Sequence, residues 1–218
     1  MALCSYESSL FSLGHGAPVN LVEQLHEHYV CGRRVRVLAR RLAPLLPDRA
    51  RVLDLGCGSG EMANAIIAHR PDVGFEGLDV LVRPMTYIRV RAYDGVTIPH
   101  DDCSFDAVLL VDVVHHADDP LALLREARRV ARACVLVKDH TLEGPFAGAT
   151  LRFMDRVGNA RHGVRLPYNY WPRRRWFEAF ECLKLDPGHW ETNLGLYPPP
   201  TDWIFGRSLH FIARLDCS

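Results

Sequence analysis

Net charge is absent from this 218-residue chain, in which 26 basic side chains balance 26 acidic ones. A polyanion therefore finds no overall attraction, and neither nucleic acid nor a charged membrane is an expected partner. Paired cysteines are missing too. The seven Cys are odd in number and none stand at C-x-x-C spacing. That excludes a disulfide framework and a structural zinc site, and reads as reduced thiols in a cytoplasmic protein. No stretch approaches the ~18 apolar residues of a membrane span. The first 13 residues have neither a basic start nor a long apolar run, so no leader is expected. Repeats and low-complexity segments are also lacking. What remains is an ordinary globular composition with 48% apolar residues. At ~150 residues per domain this is one domain, long enough to bury its own core.

Periodicity orders the chain. Apolar residues recur at helical spacing over residues 19–29 and again over 33–46, where Pro47-Asp48 ends the run. The rhythm then changes. R-V-L-D-L at 51–55 is a short apolar run stopped by glycines, and reads as a buried strand. A helix follows over 61–69 and a second strand over 73–80. Residues 81–93 read as a poorer helix, with a short third strand over 93–98. F-D-A-V-L-L-V at 105–111 is a strand, 120–132 a helix, and 134–137 the next strand. Residues 140–175 are broken by Gly144-Pro145, Gly158-Asn159, His162-Gly163 and Pro167 into short helices and loops. A helix over 176–183 and a last strand over 208–215 close the chain, with 189–197 a candidate to pair with that strand. Pro198-Pro199-Pro200 reads as a stiff connector.

Strands that alternate with helices and are apolar throughout imply a parallel sheet covered on both faces. The expectation is an α/β, doubly wound fold. Its single domain divides into a helical cap (1–48), a ligand-binding core (49–139), an insertion or lid (140–175) and a C-terminal helix with strands (176–218).

The segment V-L-D-L-G-C-G-S-G at 52–60 is the most informative. Gly56, Gly58 and Gly60 follow a strand and open a helix, so a ligand can approach the backbone and meet free N–H groups. The dinucleotide spacing G-x-G-x-x-G fails, because Glu61 stands where its third glycine belongs. Asp54 precedes the loop and can fix it or accept from an ammonium group. Asp79 ends the second strand, where a carboxylate can hold both hydroxyls of a ribose.

Residues 52–60 resemble motif I of the class I S-adenosylmethionine-dependent methyltransferases. Residues 94–116, beginning D-G-V-T-I-P-H-D-D-C-S-F-D, are similar to that family's next motifs, and most like its small-molecule branch. The likeness covers roughly residues 50–140. It implies a Rossmann-like, seven-stranded, mostly parallel sheet with an antiparallel last strand, and S-adenosylmethionine as cofactor. By family role Asp54, Gly56, Cys57, Gly58 and Gly60 lie near the methionine part. Asp79 and Val80 lie at the ribose, Asp94 and Gly95 at the adenine, Asp112 and Val113 at the methionine end. Gly95 replaces a larger residue, so any adenine contact there is made by backbone.

Methyl transfer to a hydroxyl or amine asks for alignment and a proton acceptor. Histidines are the natural candidates. His115 and His116 follow the fourth strand, and Lys138-Asp139-His140 ends the fifth. His116 and His140 are the candidate bases, with a structural or cofactor-shaping role the favoured reading for His116. Asp112, Asp139 and His140 resemble in position the magnesium site of the catechol O-methyltransferases, but a His suits magnesium poorly, so no metal is expected. In the insertion, Tyr168, Tyr170 and Trp171 are candidate walls of an acceptor pocket or, equally, the core of a lid, with Arg152, Phe153, Met154 and Asn159 just before them and His26, His28 and Tyr29 a possible cover. Arg173-Arg174-Arg175 at a helix start oppose the dipole and suggest a nearby anion. Asp101 and Asp102 read as solvated loop acids, and Asp118 and Asp119 as helix-start acids. The expected activity is methyl transfer to O, N or C of a small organic acceptor, by a monomer or homodimer. A non-catalytic S-adenosylmethionine-binding subunit is the alternative, and a protein methyltransferase a weaker one. Nucleic-acid methylation is disfavoured, since Asp112-Val113-Val114-His115 stands where base-modifying relatives carry N-P-P-[YF].

Overall fold

The computed structural model describes residues 32–159 and 166–217. The expected helix at 19–29, with His26, His28 and Tyr29, lies outside them, as do His162-Gly163 and the side chain of Asn159. In chain order the main elements are α1 (Gly32–Leu42), β1 (Arg51–Leu55), α2 (Glu61–Ile67), β2 (Gly74–Asp79), β3 (Val90–Ala92) and β4 (Phe105–Val111). There follow α3 (Pro120–Val130), β5 (Ala131–His140), α4 (Ala147–Asn159), α5 (Arg173–Cys182), β6 (Leu185–Glu191), α6 (Asp202–Phe205) and β7 (His210–Cys217).

The seven strands run in the order β3-β2-β1-β4-β5-β7-β6. All pairings are parallel except those of β7, which is antiparallel to β5 and to β6. The order reverses between β1 and β4, and open α/β sheets bind ligands at the carboxyl edge of such a point.

Alternation within each strand divides the core into two layers. Leu53, Leu55, Val108, Leu110, Val135 and Val137 pack on one face, against Leu124 of α3 and Trp176 and Phe180 of α5. Val52, Ala107, Leu109, Cys134 and Leu136 pack on the other, against Leu38 and Leu42 of α1 and Ile66 of α2. Asp119 caps α3, its carboxylate accepting from the N–H of Leu121 and Ala122, and Pro120 follows it.

The helix expected over 81–93 is not formed. That stretch is bends and loop, and β3 begins within it at Val90 rather than at residue 93. Leu81, Val82, Met85 and Tyr87 in it are exposed, as is Val80 just before it, and only Tyr93 at its end packs on the core. The insertion is less broken than expected, because α4 runs for 13 residues. The proline run leads into the short α6 rather than directly into the last strand.

Candidate active site

Two groups of side chains meet at the carboxyl edge. The first belongs to β1, β2 and the loop between β1 and α2. Gly56, Gly58 and Gly60 all have positive φ. A Cβ on Gly56 would stand 2.7 Å from the Val113 side chain, so this glycine lets Val113 close over the loop. A Cβ on Gly58 would meet nothing, so its backbone faces open space. The N–H groups of Gly56 and Cys57 donate to the carbonyl of Leu78, and that of Gly58 donates to Asp79 Oδ2 at 2.7 Å. Asp79 Oδ1 accepts from the Leu81 N–H. Cys57 packs on Gly77, and burial pushes its thiol pKa upward. Asp54 is 2% exposed, and its Oδ2 has no partner. Burial, with the nearby Asp79 carboxylate, raises its pKa to about 7.

Further along the same edge, Val80 is exposed and touches the space above Gly95. Asp94 Oδ1 accepts from the N–H groups of Val96 and Thr97, which holds its carboxyl below the usual range. Its side chain thus shapes the loop around Gly95.

The second group lies at the ends of β4 and β5. Lys138 is fully buried in β5 and donates to Asp112 Oδ1. Arg34 of α1 reaches Asp112 Oδ2 at 3.0 Å. Burial alone would raise the Asp112 carboxyl, but Lys138, His140 and Arg34 hold it well below the carboxylate range. His210 Nε2 donates to the carbonyl of Phe205, which leaves Nδ1 to accept from Lys138 at 3.4 Å. Both cations on Asp112 come from the protein, so its carboxylate is already neutralised.

Asp139, also fully buried, organises the histidines. Its Oδ2 accepts from the Val114 N–H and its Oδ1 from His115 Nδ1 at 2.6 Å and the His140 N–H at 2.7 Å. His140 Nδ1 lies 3.3 Å from Asp139 Oδ1 and 3.7 Å from Asp112 Oδ1. Two acceptors on that side place the ring proton on Nδ1 and leave a lone pair on Nε2. Burial and the Lys138 ammonium push the His140 pKa down to about 4, so the ring is neutral near pH 7.

His115 has the opposite character. Burial opposes its charge, but Asp139 and Asp155 outweigh burial and raise its pKa to about 10. Its Nε2 lies 3.3 Å from Asp155 Oδ1, and its ring stacks on Tyr170 at 5.5 Å. The Tyr170 hydroxyl donates to Asp155 Oδ2. His116 is half-buried, its Nδ1 has no partner, and burial beside His115 lowers its pKa. Asn169 pins the Y-N-Y loop down: its N–H donates to the carbonyl of His115 and its Nδ2 to that of Ala117.

The candidate bases and both tyrosines come together, while Phe153 is exposed and stacks on Phe205. His116, His140, Tyr168 and Tyr170 converge, with Arg152 over the Tyr168 ring at 5.9 Å. Trp171 instead turns into the core, 4% exposed and 5.0 Å from Trp176. Near the three arginines, Glu143 accepts from the Arg173 backbone N–H and Glu178 pairs with the Arg174 guanidinium at 2.7 Å. His115, Lys138, Asp155 and His210 form the middle of the cluster; the sequence places His115 and Lys138 at strand ends without a role and does not single out Asp155 or His210. A signal for Lys138 existed: a lysine closing a wholly apolar strand must find a buried partner.

A doubly wound sheet with a glycine loop at its switch point and an acid on the adjacent strand defines a class of nucleoside-cofactor folds. Comparison with known proteins narrows the class. The methyltransferase domain family matches residues 25–189, three quarters of the chain, and the protein belongs to it, among the class I S-adenosylmethionine-dependent methyltransferases. Among curated relatives, 27-O-demethylrifamycin SV methyltransferase of Amycolatopsis mediterranei is 36% identical over 110 residues, 44% of this chain and 40% of that protein. Ubiquinone biosynthesis O-methyltransferase of Cereibacter sphaeroides is 32% identical over 111 residues, 46% and 44% respectively. The matched stretch thus spans less than half the length of either relative. An S-adenosylmethionine-dependent methyltransferase from Aquifex aeolicus shares the fold with a TM-score of 0.59 at 14% identity, covering 90% of this chain and 98% of that one.

The residues present fit this cofactor. The orphan Asp54 oxygen suits an ammonium group, the Gly58 backbone lies open, and the exposed apolar side chains of Val80, Leu81 and Val96 flank the edge where a purine belongs. Among the described residues no helix is long and apolar enough to cross a membrane.

Proposed function

We propose that the protein methylates a hydroxyl of a small organic acceptor, with S-adenosylmethionine as donor. When bound, S-adenosylmethionine supplies an electrophilic methyl group. Asp54 pairs with its ammonium, the 56–60 loop lies along its methionine part with Cys57, and Asp112 and Val113 flank that end. Asp79 accepts from the ribose, and Val80, Asp94 and Gly95 line the adenine side. His140 takes the acceptor proton at Nε2, with His116 beside it. Tyr168 and Tyr170 shape the acceptor's place. Trp171, buried, supports that loop from beneath.

One observation carries the reading. His140 is a neutral imidazole whose Nδ1 faces Asp139 and Asp112, so its Nε2 is a proton acceptor held at the carboxyl edge of β5. Proton removal from an uncharged hydroxyl is assisted by a neutral imidazole within reach. The O-methyltransferase names of both curated relatives support oxygen as the acceptor atom. The balanced charge supports a small uncharged acceptor over a polyanion, and a cytoplasmic monomer or homodimer goes with the same reading.

The test is S-adenosylhomocysteine release with a panel of hydroxylated small molecules. For any acceptor that is turned over, His140→Ala lowers kcat by about 10²–10⁴ while leaving S-adenosylhomocysteine binding intact. Unchanged kcat in His140→Ala would overturn the assignment.

A further inference from the structure

Outside the roles just given, one set of atoms has the arrangement of a transition-metal site. His115 Nε2 and His116 Nδ1 are both buried; His116 Nδ1 has no hydrogen-bond partner, and His115 Nε2 faces only the Asp155 carboxylate, without an aligned hydrogen bond. A buried imidazole nitrogen without a partner is costly unless something occupies the space before it. A carboxylate shares that space. His115, His116 and Asp155 each offer one ligand atom, all within 4.8 Å of one another, and Asp155 Oδ1 is 3.3 Å from His115 Nε2.

We infer that His115 Nε2, His116 Nδ1 and Asp155 Oδ1 bind one divalent transition-metal ion of the zinc class. Two histidines and one carboxylate are the protein ligands of open, catalytic-type zinc sites, which leave a position for an outside oxygen. The residues behind the ligands are those such a site requires. His115 Nδ1 donates to Asp139 Oδ1 at 2.6 Å, which turns Nε2 toward the ion and fixes its tautomer. The Tyr170 hydroxyl donates to Asp155 Oδ2, the oxygen opposite the one that faces His115. Imidazole nitrogen disfavours magnesium and calcium, which take oxygen. The site shares neither His116 nor Asp155 with the Asp112–Asp139–His140 grouping considered from sequence. The ion replaces the Nε2 proton of His115, so the charge facing Asp139 and Asp155 rises by one unit. An ion here would hold the acceptor oxygen beside His140, but binding of the ion does not depend on the methyl-transfer reading.

The experiment titrates metal-free protein with Co²⁺, read by visible absorption, and then with Zn²⁺ in competition. The expected result is one equivalent bound with the intense bands of a low-coordinate site, displaced by Zn²⁺. His116→Ala abolishes this signal, and Asp155→Asn, which keeps the side-chain volume, weakens it. Asp139→Asn weakens binding by about 10–100-fold through the lost orienting hydrogen bond. A His69→Ala control, at an exposed histidine, leaves it unchanged. Circular dichroism confirms that each variant is folded; if His116→Ala is not, Asp155→Asn decides in its place. Absence of one-equivalent binding by the wild type overturns the inference. So does binding of equal strength in the folded deciding variant.

Discussion

Lowering the pH from 7.5 to 6 weakens S-adenosylhomocysteine binding roughly eightfold, through the ionisation of Asp54. The carboxyl is 2% exposed, and burial beside Asp79 raises its pKa to about 7. An ammonium group pairs only with the ionised form. At pH 6 about one molecule in eleven carries that form, and at pH 7.5 about three in four. The ratio corresponds to about 1.2 kcal/mol. The sign is opposite for stability of the free protein. Because the folded-state pKa is raised, the contribution of Asp54 to folding is complete below pH ~4 and is lost as pH rises through about 7. Calorimetric titration at the two pH values measures the effect. Asp54→Asn shows no pH slope and binds more weakly by about 1.5–3 kcal/mol at pH 7.5, for a lost charged hydrogen bond, a deficit that is ~1.2 kcal/mol smaller at pH 6. Equal affinity of the wild type at pH 6 and 7.5, or an unchanged slope in Asp54→Asn, would refute the reasoning.

Other expectations follow from the same geometry. Gly56→Ala drives a methyl group into Val113 at a positive φ, and S-adenosylhomocysteine affinity falls at least tenfold, as titration of the variant will read. Lys138→Ala strips a fully buried partner from Asp112 and costs about 3–5 kcal/mol, seen in denaturant unfolding. Trp176→Phe keeps most of the ring volume but loses the Nε1 hydrogen bond to the His140 carbonyl, at a cost of about 1 kcal/mol in the same assay. Tyr170→Phe leaves cofactor binding intact and lowers kcat/KM for the acceptor, because Asp155 loses the hydroxyl that orients it.

Much of the cofactor side was legible because its determinants are local. A strand, three glycines and a helix start lie within ten residues, and the acid on β2 follows from the topology. The stretch 81–93 misled for a physical reason. Most of its apolar residues are exposed in a loop, not on a core-facing helix, so apolar content there carried no helical meaning. β3 is three residues long and too short to show alternation. The acceptor side was only partly legible. His116, His140, Tyr168 and Tyr170 stood out by type and position. Asp155 did not, because it meets His115 and Tyr170 only after α4 folds back over the sheet edge. Trp171 looked like a pocket wall because aromatic content alone cannot tell a lid from the core beneath it. Its bridge to Thr141 turns the side chain inward.

The central claim is that the glycine loop and Asp79 hold S-adenosylmethionine. Calorimetric titration with S-adenosylhomocysteine, on the wild type and on Asp79→Ala, tests it most directly. The account predicts a single micromolar site in the wild type that Asp79→Ala loses while remaining folded. A folded wild type that binds nothing, or an Asp79→Ala variant that binds equally well, would contradict it.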